Sequence, residues 1–355
     1  MTSKLFTVGP VEMYSETLRL GSVQVPYFRT PEFSEIVLHC ESMMHELVDA
    51  PEGSRTLLLT ASGTGAMEAA VINLLGPSDR ALVIAGGTFG DRFCEICREH
   101  EIPFDCIRLD PGASLHPGEI VELKLDSYKA LLVNAHETST GVLSDTFQLG
   151  QACRNAGILF VVDAISALFC DPISMSQMGI DLLLASSQKA LALPPGLSLV
   201  VLSPRALDAV RTRKVKSYYF GFQRYLSDGS RGQTPFTPAV GVILQLRDRL
   251  KAIQAIGTPA LVHRTADLAR HFRNSIENLP FRVFAETPSN ALTALSPTNG
   301  SSAYELFSQL AARFKVIVTP NGGQLRHRVF RVGHMGNLAT TDMDTVANAL
   351  REISQ

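Results

Sequence analysis

Between residues 55 and 200 the chain alternates short aliphatic runs with longer segments of helical spacing. The apolar runs predict strands at Thr56–Thr60, Ala81–Ala85, Phe104–Arg108, Ala130–Asn134, Ile158–Asp163, Leu182–Ala185 and Leu197–Leu202. Helical patterns fall between many of them, at Thr64–Leu75, Gly90–His100 and Thr146–Ala156. Leu131-Leu132-Val133 and Leu159-Phe160-Val161-Val162 are continuous rather than alternating, as strands covered on both faces require. Strand–helix alternation of this kind predicts an α/β fold around a mainly parallel sheet.

After residue 203 the texture changes. Helical signal dominates from Phe236 to Asn278, with breaks expected at Gly257 and Pro259. Short strands follow at Phe281–Phe284, Ala291–Leu295, Val316–Val318 and Val329–Arg331, mixed with helices at Ser302–Arg313 and Thr341–Ile353. We therefore expect a large domain over 21–255 and a smaller α+β domain over 256–355. Residues 1–20 should be extended and pack on the small domain.

Composition narrows the function. The 355 residues are 45% hydrophobic and 19% charged, enough for a sizeable core, and the net charge of −2 comes without a basic or acidic run. Neither nucleic acid nor an anionic membrane surface is indicated as a partner. The N-terminal residues show no apolar leader, and the longest apolar stretch, Gly157–Phe169, is interrupted by Asp163 and too short to span a bilayer. Six cysteines lack any paired zinc spacing, so no metal site is expected; Cys94 and Cys97 form a lone CxxC within a predicted helix. A reduced, cytoplasmic protein fits this usage.

Three segments carry candidate chemistry. In Leu59-Thr-Ala-Ser62-Gly63-Thr64-Gly65 a strand ends and a helix begins, so free backbone N–H groups with the Ser62 and Thr64 hydroxyls make an anion cradle that glycine lets a phosphate approach. It is neither a dinucleotide fingerprint nor a P-loop. Asp163 closes the run Phe160-Val-Val-Asp163, at the strand end where open α/β sheets bind ligands, and a carboxylate there can keep a pyridine nitrogen protonated. Lys189 follows the next strand 26 residues later, among small polar residues, where an enclosed amine can form a Schiff base. Read singly, each has a plainer account: an ordinary capped helix, a capping aspartate, a solvated surface lysine. Together they lie at the C-terminal ends of predicted strands, so one crevice can collect all three.

The chain resembles class V aminotransferases of the fold-type I pyridoxal-phosphate (PLP) superfamily, nearest the alanine–glyoxylate and serine–glyoxylate group. The resemblance runs from Phe6 to about Asn348. It is carried by Thr7-Val-Gly-Pro10, Arg29-Thr-Pro-Glu-Phe33, Ser62–Glu68, Gly87-Thr-Phe-Gly90, His136-Glu-Thr-Ser-Thr-Gly141, Asp163-Ala-Ile165, Ser187-Gln-Lys189-Ala, Gly232-Gln-Thr-Pro235 and Phe330-Arg-Val-Gly333. It implies a mainly parallel seven-stranded sheet with a smaller C-terminal α+β domain. It further implies that Lys189 forms the Schiff base with pyridoxal 5'-phosphate and acts as general base and acid, and that Asp163 pairs with the pyridinium nitrogen. Ile165 would pack beneath the ring and Phe89 on its other face, where some relatives carry Trp or Tyr, with Thr138 near the 3-hydroxyl edge. Ser62, Gly63, Thr64 and Gln188 would hold the phosphate. Thr234 would reach the phosphate of a neighbouring subunit, making a homodimer with shared active sites. Arg331 would grip the substrate carboxylate, with Gly9 close by. The chain departs from relatives at Phe28, where they often carry His, and at Arg231, where some carry Tyr.

The implied reaction is transfer of an amino group from a small amino acid, of alanine or serine type, to a 2-oxo acid such as glyoxylate or pyruvate. Alternatives in the same superfamily are 2-aminoethylphosphonate–pyruvate transamination and a PLP-dependent lyase. A cysteine desulfurase needs a nucleophilic cysteine in its C-terminal part, and no cysteine follows Cys170. A scaffold protein on this fold would have no need to keep Lys189, Asp163 and Arg331 together.

Overall fold

The computed structural model describes residues 3–354. Seven strands form the large sheet: β1 (Arg55–Leu59), β2 (Ala81–Ala85), β3 (Phe104–Arg108), β4 (Ala130–Asn134), β5 (Leu159–Asp163), β6 (Leu182–Ser186) and β7 (Ser198–Leu202). Their spatial order is β1-β7-β6-β5-β4-β2-β3. β7 pairs antiparallel with β1 and β6, and every other pairing in the sheet is parallel. Every residue of β4 and β5 is buried, so the continuous apolar runs of the sequence are explained by cover on both faces.

Side chains of each strand divide between two cores by the period-two alternation of the pleat. Leu131, Val133, Phe160, Val162, Leu183 and Ala185 point into one core, beneath helices Pro31–Leu47, Thr146–Ala156 and Val240–Ile256. Leu132, Leu159, Val161, Leu182, Leu184 and Val200 point into the other, with helices α1 (Gly63–Leu74) and α2 (Thr88–Glu99). The lone CxxC belongs here: Cys94 and Cys97 are buried on the inner face of α2.

A third core lies under a four-stranded antiparallel sheet, Phe281–Val283, Leu292–Pro297, Phe330–Gly333 and Thr319–Pro320 in spatial order. The N-terminal segment joins it. Lys4–Leu5 pair in parallel with Val316–Ile317, and Phe6 is fully buried among these side chains.

Three local expectations need correction. Ser15–Leu20 is a short helix, not extended chain, and docks on Val240–Ile256 through Gln245 Nε2 donating to Thr17 O. Pro259 does not break the helical stretch; it sits in the first turn of helix Thr258–Ser275, where its missing N–H costs no hydrogen bond, and the break is at Gly257 alone. The helix expected over Ser302–Arg313 is regular only through Ala303–Gln309 and widens into a π turn over Leu310–Phe314, ended by Lys315 at a φ of 59°.

Phe160 is fully buried at the centre of the sheet. Phe160→Ala should destabilise the chain by about 3–5 kcal/mol, seen as a lower denaturant midpoint in circular dichroism.

Candidate active site

Parallel strands in sequence β5 and β6 are neighbours in the sheet, so their C-terminal ends open on one edge. Asp163 is the last residue of β5 and Lys189 lies three residues beyond β6. Both are buried, at 5% and 8% exposure. Each feels the other's charge, yet among the described residues no ion pair joins them. Asp163 Oδ2 accepts from Asn134 Nδ2 at 2.6 Å and Oδ1 from Ile165 N at 2.8 Å. Lys189 Nζ donates to Val8 O at 2.6 Å. Burial pushes the Asp163 carboxyl up to about 6, against the pull of its two donors. Burial, then the charge of Arg331, pushes the Lys189 amine down to about 8.

Val8 and Gly9 reach the lysine because the N-terminal segment is stitched to the small sheet. Gly333 N donates to Phe6 O and Val8 N to Thr319 Oγ1. At Gly9, φ is +127°, and a Cβ there would stand 2.8 Å from Lys189 Cδ, so both conformation and space require glycine.

The anion cradle is the start of α1. Ser62 caps it, accepting from Gly65 N at 3.4 Å, and Ser62 and Thr64 are exposed. A Cβ on Gly63 would lie 2.5 Å from Ile165 Cδ1, so the Ile165 side chain rests directly on this turn. Gln188 faces the same edge: its Oε1 accepts from Ser186 Oγ at 2.6 Å, and Ser198 Oγ donates to Ala61 O at 3.1 Å.

Arg331 projects from strand Phe330–Gly333 of the small sheet and is 8% exposed. Nη1 donates to Thr138 O at 3.1 Å and Nη2 to Pro320 O at 2.6 Å, while Nε is buried without a partner. Burial pulls its pKa down to about 10, opposed by the carboxylate of Glu137. Thr138 Oγ1 pairs with Ser166 Oγ at 2.7 Å. Phe89 opens α2, and Arg92, one turn on, lies over its ring at 4.7 Å while donating to Thr64 Oγ1 at 2.9 Å.

Hydrogen bonds, contacts and mutual charge therefore link Gly9, Gln188, Lys189, Asp163, Ile165 and Gly63, together with Arg331 and Thr138. Arg92 ties Phe89 to Thr64. Thr234 belongs to a different network: its Oγ1 donates to Phe236 O, and its carbonyl, with Gln233 Oε1, accepts from Arg29. Arg231 forms a surface ion pair with Asp228.

A family model described as "Aminotransferase class-V" matches residues 20–325. The chain belongs to the class V aminotransferase family. Similar proteins extend along nearly its whole length. A protein of Synechococcus sp. named soluble hydrogenase, small subunit, is 32% identical and aligns over 98% of this chain and 92% of its own. The alanine–glyoxylate aminotransferase of Oryctolagus cuniculus is 31% identical over 98% of this chain and 91% of its own. Among solved structures, an aspartate aminotransferase of subgroup IV from Thermus thermophilus superposes with a TM-score of 0.91 at 29% identity, covering 99% of this chain and 98% of that one. This aminotransferase thus has the α/β architecture of its relatives, and membership implies pyridoxal phosphate.

The site's residues fit that group. Besides Arg331 Nε, the buried Asn134 Oδ1 and His136 Nε2 lack hydrogen-bond partners among the described residues, although buried polar atoms are rarely left so. His136 is fully buried and pushed down to about 3, chiefly by desolvation, so it is neutral near pH 7.

Among the residues of this neighbourhood that went unassigned in the sequence are Asn134, His136, Ser166, Glu137 and Arg92. Asn134 carried the same signal as Asp163, a polar side chain directly after a buried apolar run; Glu137, separated from that run by Asn134, Ala135 and His136, did not. Ser166 and Arg92 sit in ordinary helical or loop contexts and carried none.

Because its folded-state pKa is raised, the Asp163 carboxyl stabilises the fold below about pH 4, and that contribution is lost as pH rises through about 6. In cofactor-free protein, Asp163→Asn should leave stability unchanged at pH 4 and raise it by roughly 1–3 kcal/mol at pH 7. A flip of the Asn134 amide offers its unpaired Oδ1 to the new amide. Urea titrations at the two pH values measure the difference.

Proposed function

We propose that this aminotransferase moves the amino group of a small amino acid, of alanine or serine type, to glyoxylate or pyruvate, with pyridoxal 5'-phosphate attached to Lys189. The observation that carries the reading is the burial of Lys189 and Asp163 at neighbouring strand ends, coupled in charge but not touching. The relative named alanine–glyoxylate aminotransferase supports the choice of substrates.

When bound, the cofactor supplies an aldehyde that condenses with amines and a ring that accepts the electron pair left at a substrate Cα. The rest falls to the chain's residues. Asp163 holds a proton on the ring nitrogen, and Asn134 and Ile165 N fix its carboxylate for that task. Ile165 would pack beneath the ring, Phe89 would cover its other face, and Thr138 would stand near its 3-hydroxyl edge. Ser62, Gly63, Thr64 and Gln188 hold the phosphate, with Arg92 adding a positive charge at Thr64. Lys189 Nζ takes the proton from the substrate Cα and returns it at the acceptor carbon. An amine poised at about 8 is matched to that task near neutral pH. Arg331 binds the substrate carboxylate through its unpaired Nε edge, and Gly9 leaves room beside it.

We read the enzyme as a cytoplasmic homodimer with shared sites. Thr234 makes no hydrogen bond to the Lys189 group within its own chain, and Val23, Val25, Tyr27 and Tyr218 are exposed apolar side chains at 53%, 44%, 67% and 71%. A division near residue 256 is supported by Gly257, which separates the two long helices.

Borohydride reduction of the PLP-treated protein, followed by peptide mapping, should place a single pyridoxyl label on Lys189. A label elsewhere, or none, would overturn the reading. Lys189→Ala should abolish transamination while PLP still binds. Arg331→Gln should raise KM for carboxylate substrates roughly tenfold or more with a smaller change in kcat, and an unchanged KM would move the carboxylate site elsewhere. Mixing the PLP-loaded enzyme with single amino acids and aminophosphonates, and following loss of its visible absorbance, identifies the donor.

A further inference from the structure

Glu137 is 4% exposed and lies one residue before Thr138, on the two-stranded hairpin His136–Glu137 and Val142–Leu143. Both carboxylate oxygens are spent on donors. Oε2 accepts from Phe89 N at 3.1 Å and Gly90 N at 2.9 Å; Oε1 accepts from Ser139 N at 3.0 Å and Ser139 Oγ at 2.6 Å. Ser139 Oγ in turn accepts from Thr88 N at 3.1 Å. The first three N–H groups of α2, which its own Gly87 cap does not satisfy, are thus taken by a hairpin 47 to 51 residues further along the chain. Every oxygen of Glu137 faces an N–H or O–H, so the acid is built into the site as an acceptor only. Arg331 senses its charge and binds the carbonyl of the adjacent Thr138.

One buried side chain is therefore attached to both ends of the site. Through Phe89 N and Gly90 N it sets where the Phe89 ring stands. Through Ser139 it sets the turn that presents Thr138, and so the carbonyl that orients Arg331. We propose that Glu137 is a positioning residue that couples the aromatic wall of the cofactor site to the arginine that binds the substrate carboxylate. The proposal rests on the reading of Lys189, Phe89 and Arg331 given above. Glu137 touches neither substrate nor cofactor; it acts through α2 and through the hairpin.

Glu137→Gln keeps the shape but turns an NH2 group toward two of the four donors. It should leave Phe89 and Gly90, or Ser139, without an acceptor. In cofactor-free protein, hydrogen exchange at the amides of residues 88–90 should speed up at least about tenfold. In PLP-loaded protein the induced circular dichroism of the bound cofactor should change in sign or intensity, and PLP affinity should fall about tenfold or more. The KM for the 2-oxo acid should rise beyond any fall in kcat. The deciding measurement is a double-mutant cycle on PLP affinity with Phe89→Leu: the two losses should be less than additive, since each disables the same wall. Strict additivity, or unaltered circular dichroism with unaltered exchange at 88–90, overturns the proposal. Should Glu137→Gln fail to fold, Ser139→Ala removes two hydrogen bonds of the same network and is expected to shift KM and exchange at Thr88 in the same direction; no shift in either again overturns it. Failure of wild-type protein to take a pyridoxyl label on Lys189 would instead overturn the functional reading, so the two failures are distinguishable.

Discussion

The site depends on keeping a buried amine and a buried carboxylate apart. Two opposite charges in a low-dielectric interior reach lowest energy in direct contact, and desolvation penalises each when it is held alone. Here Asp163 is held by Asn134 and a backbone N–H, and Lys189 by the Val8 carbonyl. Both titrate toward neutrality, the acid upward to about 6 and the amine downward to about 8. Stability alone would select contact between them. Under the proposed function, that separation would leave room for a planar ring between them, and perturbed titration of this kind is common at functional sites.

Sheet topology sets that separation. β5 and β6 run parallel and adjacent, so Asp163 and the chain leading to Lys189 leave the sheet on the same edge. β7 enters between β6 and β1 in the opposite direction, which brings Ser198 level with both Ser186 and Leu59. The hydroxyls of Ser186 and Ser198 then tie Gln188 and Ala61, and with them the anion cradle, to the strand that carries the lysine. The antiparallel strand is the means by which a cradle formed 127 residues before the lysine comes to face it.

Much of this was legible in the sequence because it obeys short-range rules. The seven strands were readable to within about two residues at each end, since continuous apolar runs bounded by polar turns have few other solutions. The positions of Lys189, Asp163 and Ser62 at or just beyond the C-terminal ends of strands were readable because they follow from the strand pattern itself. What escaped was non-local or context-dependent. Nothing in the order of residues says that Glu137 caps a helix starting at Thr88, or that Arg92 turns toward Thr64; these pairings exist only after the sheet has formed. Ser15–Leu20 escaped because six residues make too short a helix to show periodicity, and its docking on Val240–Ile256 decides its conformation. Pro259 misled because proline is a breaker inside a helix and a starter at its first turn, and composition does not distinguish the two.

The site is shared between two sheets, and one segment connects them. Arg331 comes from the small sheet, Lys189 and Asp163 from the large one. Val8 stands between: its N–H binds Thr319 of the small sheet and its carbonyl binds the lysine of the large. Thr319 is itself paired in register with Arg331. The hydrogen-bond partner of the Lys189 amine is thus tied to the strand that pairs with the arginine's. Any displacement of the small sheet that moves Arg331 also changes how well the amine is solvated, and so how readily it holds a proton. Arg331 and the Lys189 amine are thus joined through the Val8 backbone, without a side chain of their own to link them.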